Sequence, residues 1–153
     1  NKDLTGTILT GANLSNANIS GIDISGKNLT GTILTEADLS DTNLTGTILT
    51  GANLSNANLT GVDLSNKDLT GTILTGANLS NAKLLDVNLT DASLQNADLR
   101  YTLLVDANLS NAILTDSDLT NAVLTGAILT GANLENAILT NAILNCIGHS
   151  ICI

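Results

Sequence analysis

The chain has 153 residues and no proline, methionine, tryptophan or phenylalanine, with one tyrosine and one histidine. Irregular cores use aromatic and thioether side chains to fill their gaps. A core that does without them has to be assembled from identical layers. No run of 18 apolar residues occurs, so the sequence offers no membrane-spanning helix. Five Lys and Arg stand against 14 Asp and Glu, a net charge of −9. That balance argues against direct binding of nucleic acid through its phosphates and is the ordinary charge of a soluble surface. A single histidine leaves no constellation for acid–base or nucleophilic catalysis. The glycines recur singly, so no phosphate-cradling loop is formed. The chain therefore reads as a non-enzyme, and nothing in it calls for a cofactor or a catalytic metal.

What is present is a repeat. Hydrophobic residues reach 43%, nearly all of them Leu, Ile and Ala. From Leu4 to Leu144 every fifth residue is Leu or Ile: 27 Leu, with Ile19 and Ile24. Two residues before each centre the side chain is usually small (Ala12, Ala17, Ala37, Thr32), and one before is Asn, Asp or Ile. One after is mostly Thr or Ser. Two after is Gly, Asn or Asp, a class that takes 12 of the 13 glycines. Neither regular structure explains the spacing. On a helix, five residues advance about 500°, so the leucines circle the axis. In a straight strand an odd period sends successive leucines to opposite faces. Only a chain that bends every five residues points each leucine the same way. In such a chain Ala12 and Leu14 face inward and Asn13 outward, while Ser15 and Asn16 make the corner. Gly and Asn tolerate the positive φ that corners demand. Four corners close a square coil of about 20 residues, and about seven coils stack at roughly 4.8 Å.

The segments GANLSNANLTG at 51–61 and NADLR at 96–100 carry the motif A(D/N)LxX, and the whole span 2–144 resembles the pentapeptide repeat family. The resemblance implies an all-β fold, a right-handed quadrilateral β-helix. Residues 1–144 are then the repeat domain and 145–153 a capping tail, because solenoid ends need covers. A second, longer repeat is also present: residues 3–40 match 43–80 at 29 of 38 positions, an internal duplication of two coils.

Three departures matter for function. Lys27 and Lys67 occupy the small inward class; near a corner each can reach water along its stem, and the sharper reading is a pair of basic notches. Outward isoleucines line two faces, Ile8, Ile48 and Ile128 on one and Ile33, Ile73 and Ile113 on the next. They gather toward the C-terminal end with Leu103, Val123, Ile138 and Ile143, a patch that can meet the C-terminal tail, a second copy in a homodimer, or both. Several acidic residues share the remaining two faces: Asp23 and Asp63, with Asp3, on one, and Asp38, Asp98 and Asp118 on its neighbour, with Asp41 in the corner class between the two faces. A one-sided acidic rod resembles the DNA-mimicking pentapeptide repeat proteins that bind DNA gyrase. Duplex DNA of that length, however, carries about 20 charges, more than the 14 acids here.

The tail reads NCIGHSICI. Cys146, His149 and Cys152 leave three readings open: a disulfide clamping the cap, two free thiols, or a metal site short of a fourth ligand. Ile147, Ile151 and Ile153 are the expected cover of the last coil. A disulfide would imply an oxidising compartment. Together with a start at Asn1 in place of Met, it points to export, to a periplasm or, from the family's abundance in cyanobacteria, a thylakoid lumen; the cytoplasm is the alternative. The leading functional reading is an exported scaffold for an unknown protein partner. The alternative is an acidic inhibitor or protector of gyrase.

Overall fold

The computed structural model describes residues 7–152; Asp3, Leu4 and Gly6 at one end and Ile153 at the other lie outside the described residues. The chain coils with a period of 20. Outward residues pair in parallel with the residue 20 positions on, as Asn13 does with Ile33, Ile33 with Asn53, and so up to Asn133. That first face has seven rungs. The second face runs from Asn18 through Asp38, Asp98 and Asp118 to Ile138. The third runs from Asp23 through Lys83 to Ile143, and the fourth from Asn28 through Ile48 to Ile128.

The corners are four-residue turns, nearly all closed by a backbone bond. The Ala12 N–H donates to the Leu9 carbonyl at 2.9 Å, and Ala37 to Leu34 at 3.0 Å. Every third turn residue from Gly11 to Asn141 has positive φ, the signature of a type II turn. This requirement explains the Gly, Asn and Asp of that class. Tyr101 meets it at φ 59° without their tolerance.

Between corners the alternation is as short as a strand can be. The small residue and the leucine point inward and the residue between them points out. The quintet-centre leucines from Leu29 to Leu129 are at most 2% exposed, and Ala37, Ala52 and Ala57 are fully buried. Burial of one such leucine contributes about 2 kcal/mol. Backbone bonds run along the axis from rung to rung, as from the Leu14 N–H to the Ile33 carbonyl (2.7 Å) and from the Ile33 N–H to the Ala12 carbonyl (2.9 Å).

The ladder has one interior gap. Among the described residues, Asn43 is not bridged to Asp63, nor Ile48 to Asp68, although the rungs above are bridged without a break. The seven N–H groups of Asp41, Leu44, Gly46, Leu49, Gly51, Asp63 and Asp68 make none of the inter-coil backbone bonds their counterparts make. On the other two faces the same coils stay joined, Leu39 to Asn58 (2.8 Å) and Leu54 to Ile73 (2.7 Å).

At the C-terminal end the period changes. The Cys146 N–H turns back to the Leu144 carbonyl at 2.7 Å, which drops one residue from the corner. Ile128 therefore pairs with Ile147, 19 positions on. Ile147 continues the outer ladder and is 58% exposed, so it does not cover the last coil as its apolar character suggests. Ile151, Cys146 and Cys152 pack against the core instead. Cys146 and Cys152 are joined by a disulfide. Their sulfur atoms are bonded to each other, which leaves neither a free thiol nor a thiolate ligand. His149 Nδ1 accepts the Ile151 N–H at 3.3 Å. Gly148, at φ +84°, lets the tail pass close over Thr130, whose backbone nitrogen would lie only 3.2 Å from a Cβ at that position.

Candidate interaction faces

The outward Asn and Asp side chains are fixed locally. Most sit two residues before a Ser or Thr, and Oδ1 accepts that residue's N–H and, in many cases, its hydroxyl. Asn13 accepts from Ser15 at 3.0 and 2.7 Å, and Asn53 from Ser55 at the same two distances. Asp38 accepts from Ser40 in the same way, 3.0 and 2.7 Å. This Asx geometry follows from the spacing alone. It holds the polar faces flat and costs little entropy when a partner docks, since the rotamers are already set.

The same bonds act on charge. The Ser25 N–H holds the Asp23 carboxyl below the usual carboxylate range, the Ser40 hydroxyl does so for Asp38, and the Ser65 N–H for Asp63. The Thr70 hydroxyl does it for Asp68. At Asp98 the cause is Arg100, whose guanidinium holds both carboxylate oxygens, Nε to Oδ1 at 2.8 Å. Neighbouring coils are laced as well: Asn43 Nδ2 donates to Asp23 Oδ1 at 3.0 Å, and Asn58 to Asp38 at 3.0 Å.

The acidic candidates are brought together only in part. Asp98 and Asp118 occupy successive rungs of the second face, with Arg100 Nε 3.9 Å from Asp118 Oδ2. Asp38 is separated from them by Asn58 and Asn78. Asp23 and Asp63 share the third face with Asn43 between them, and the gap in the ladder falls between Asn43 and Asp63. The isoleucine candidates are exposed. Ile33 and Ile73 alternate with Asn53 on the first face, and Ile48 lies on the fourth above Ile8, which is 87% exposed.

Arg100 is a charged residue of these faces that sequence reasoning passed over. Its signal was legible: it stands two residues after Asp98, in the slot where Ser or Thr elsewhere binds the Asx carboxylate. Lys67 behaves differently from either sequence reading. It is half-buried, its Nζ donates to the Thr47 carbonyl at 3.2 Å, and burial pushes its ammonium below the usual lysine range. Among the described residues no group of three His, Cys, Asp or Glu is placed to hold a metal ion, and many of the Ser and Thr hydroxyls are engaged with their own Asx partner.

The family model for pentapeptide repeats matches in eight copies over residues 1–26, 12–51, 52–91, 92–131 and 117–146. No curated protein matches the chain in sequence. Among solved structures it is similar to HetL, a pentapeptide repeat protein involved in heterocyst differentiation regulation from the cyanobacterium Nostoc sp. strain PCC 7120. The identity is 33% over 90% of this chain and 73% of that one, with a TM-score of 0.54. It is also similar to the pentapeptide repeat protein Rfr23 from the cyanobacterium Cyanothece 51142, at 30% identity over 92% of this chain and 90% of that one, TM-score 0.45. QnrB1, a plasmid-mediated fluoroquinolone resistance protein, matches at 19% identity over 90% of this chain and 78% of that one, TM-score 0.47.

Proposed function

The chain belongs to the pentapeptide repeat family, and on that premise we propose that it is a non-enzymatic scaffold whose flat faces hold a protein partner in an oxidising compartment. The observation that carries this reading is the first face, where Ile33, Ile73 and Ile113 stand exposed in the regular spaces between rigidly bonded Asn13, Asn53 and Asn133. Exposed apolar side chains on a stiff polar frame suit a protein interface, with apolar anchors inside a polar rim. The similarity to HetL supports a regulatory setting. The Cys146–Cys152 disulfide supports export, since such bonds persist where the surroundings are oxidising.

The test compares the wild-type rod with Ile33→Lys/Ile73→Lys as bait in extract from the native compartment. The expected result is one or more proteins retained by the wild type and lost from the variant, with unchanged circular dichroism. Identical retention by both baits removes the first face from the function. The competing reading, an acidic ligand of gyrase, is favoured by Asp98 standing directly beneath Asp118. Arg100, which neutralises part of that pair, weighs against it. A supercoiling assay decides this point: unchanged gyrase activity at micromolar protein disposes of it.

A further inference from the structure

The gap in the ladder coincides with Lys67. This residue stands in the inward class, with Thr47 below it and Val87 above, both buried. An ammonium left among leucines would be very costly; among the described residues no acid lies within the core, and Asp63 acts on the lysine only from the exposed third face. The side chain lies between the coils instead, and Nζ takes the Thr47 carbonyl. In intact coils that acceptor belongs to the next amide up the ladder: Asn88 N–H donates to the Lys67 carbonyl at 2.9 Å, and Asn108 to Val87 at 2.9 Å. The Asp68 N–H should hold Thr47 in the same way and does not. A cavity of about 270 Å³ opens at this place, lined by Gly46, Thr47, Ile48, Ser65 and Asp68 with Lys67. The Ser65 hydroxyl is buried there without a partner.

We propose that Lys67 is a wedge that keeps this seam open in the native protein, so that residues 7–60 and 61–152 form two stacks hinged on the first and second faces. The hinge side is the continuous pair of ladders through Asn58 and Ile73. The open side is the pair of faces that carries Asp63 and Asp68. The rod then has one built-in place to bend, and the third and fourth faces are each divided into two shorter surfaces.

Amide hydrogen exchange resolved by residue tests this. In the wild type, Leu44, Leu49 and Asp68 should exchange at least about tenfold faster than Leu64, Leu69 and Asn88, which hold the same places one coil up. In Lys67→Val, which copies the residue above, and in Lys67→Thr, which copies the residue below, the fast amides should slow to match. Lys67→Arg should leave them fast. Wild-type protection at Leu44, Leu49 and Asp68 equal to that of the next coil would show the seam closed and overturn the proposal. Fast exchange that persists in both Lys67→Val and Lys67→Thr would overturn it as well, by removing the lysine as the cause.

Discussion

Adjacent side chains in a single quintet have opposite fates, and that contrast is the sharpest test at the scale of the residue. Leu54 is fully buried in a middle layer, whereas Asn53 faces out and accepts from Ser55. Leu54→Asp places an unpaired carboxylate among leucines of its own coil and of the two beside it. The expected loss is on the order of 4 kcal/mol or more, enough to unfold the chain or move its urea midpoint far down. Asn53→Asp keeps an acceptor in the same Asx position, as Asp38 does with Ser40, and should melt within about 0.5 kcal/mol of the wild type. Equilibrium unfolding of the pair gives the answer; similar midpoints would mean that the inward and outward classes are wrongly assigned.

The coil and its cap show what a repeat does and does not make legible. A coil was readable because side-chain size alternates with a period of five and only a bend at each quintet satisfies it. The positive φ of the third corner residue was readable too, because Gly, Asn and Asp concentrate there. The seam at Lys67 was not, since a missing backbone bond changes no residue class and a lysine near a corner reads equally well as a side chain reaching water. The slip at Cys146 was also silent: Ile147 has the character of a core residue, and only the shortened corner places it outside. The tail is held by the disulfide, which closes a loop of six positions and so removes about 2 kcal/mol of chain entropy from the unfolded state. Reduction, or Cys146→Ser with Cys152→Ser, should lower the melting temperature by roughly 5 °C. Amide protection should be lost first around Leu139 and Leu144, which the tail helps to shield. Melting curves that coincide with and without reductant would show that the clamp carries no stability.

For the molecule as a whole, the repeated Asx bonds turn a local habit into a global response to pH. The carboxyls of Asp23, Asp38, Asp63, Asp68 and Asp98 are all held below the usual range, each chiefly by hydrogen bonds from the residue two positions on. A group whose folded pKa lies below its unfolded value stabilises the fold fully above the unfolded value, about 4 for a carboxylate, and loses that contribution as pH falls through the folded one. All five shifts have the same sign, so the losses add in one direction. Most of these groups are exposed, so each increment is small and screened by salt. Loss of carboxylate charge also leaves the five Lys and Arg without the acids that outnumber them at neutral pH. The melting temperature should stay nearly level from pH 7 to about 5 and then fall progressively below about pH 4. Asp38→Asn serves as the internal control: an amide accepts the same Ser40 bonds, as Asn13 does from Ser15, so the variant should match the wild type at pH 7 and lose less between pH 4 and 2. Thermal melts of both proteins across that range measure it, and a wild-type melting temperature at pH 2.5 equal to that at pH 7 would show that the carboxylate bonds do not stabilise the coil.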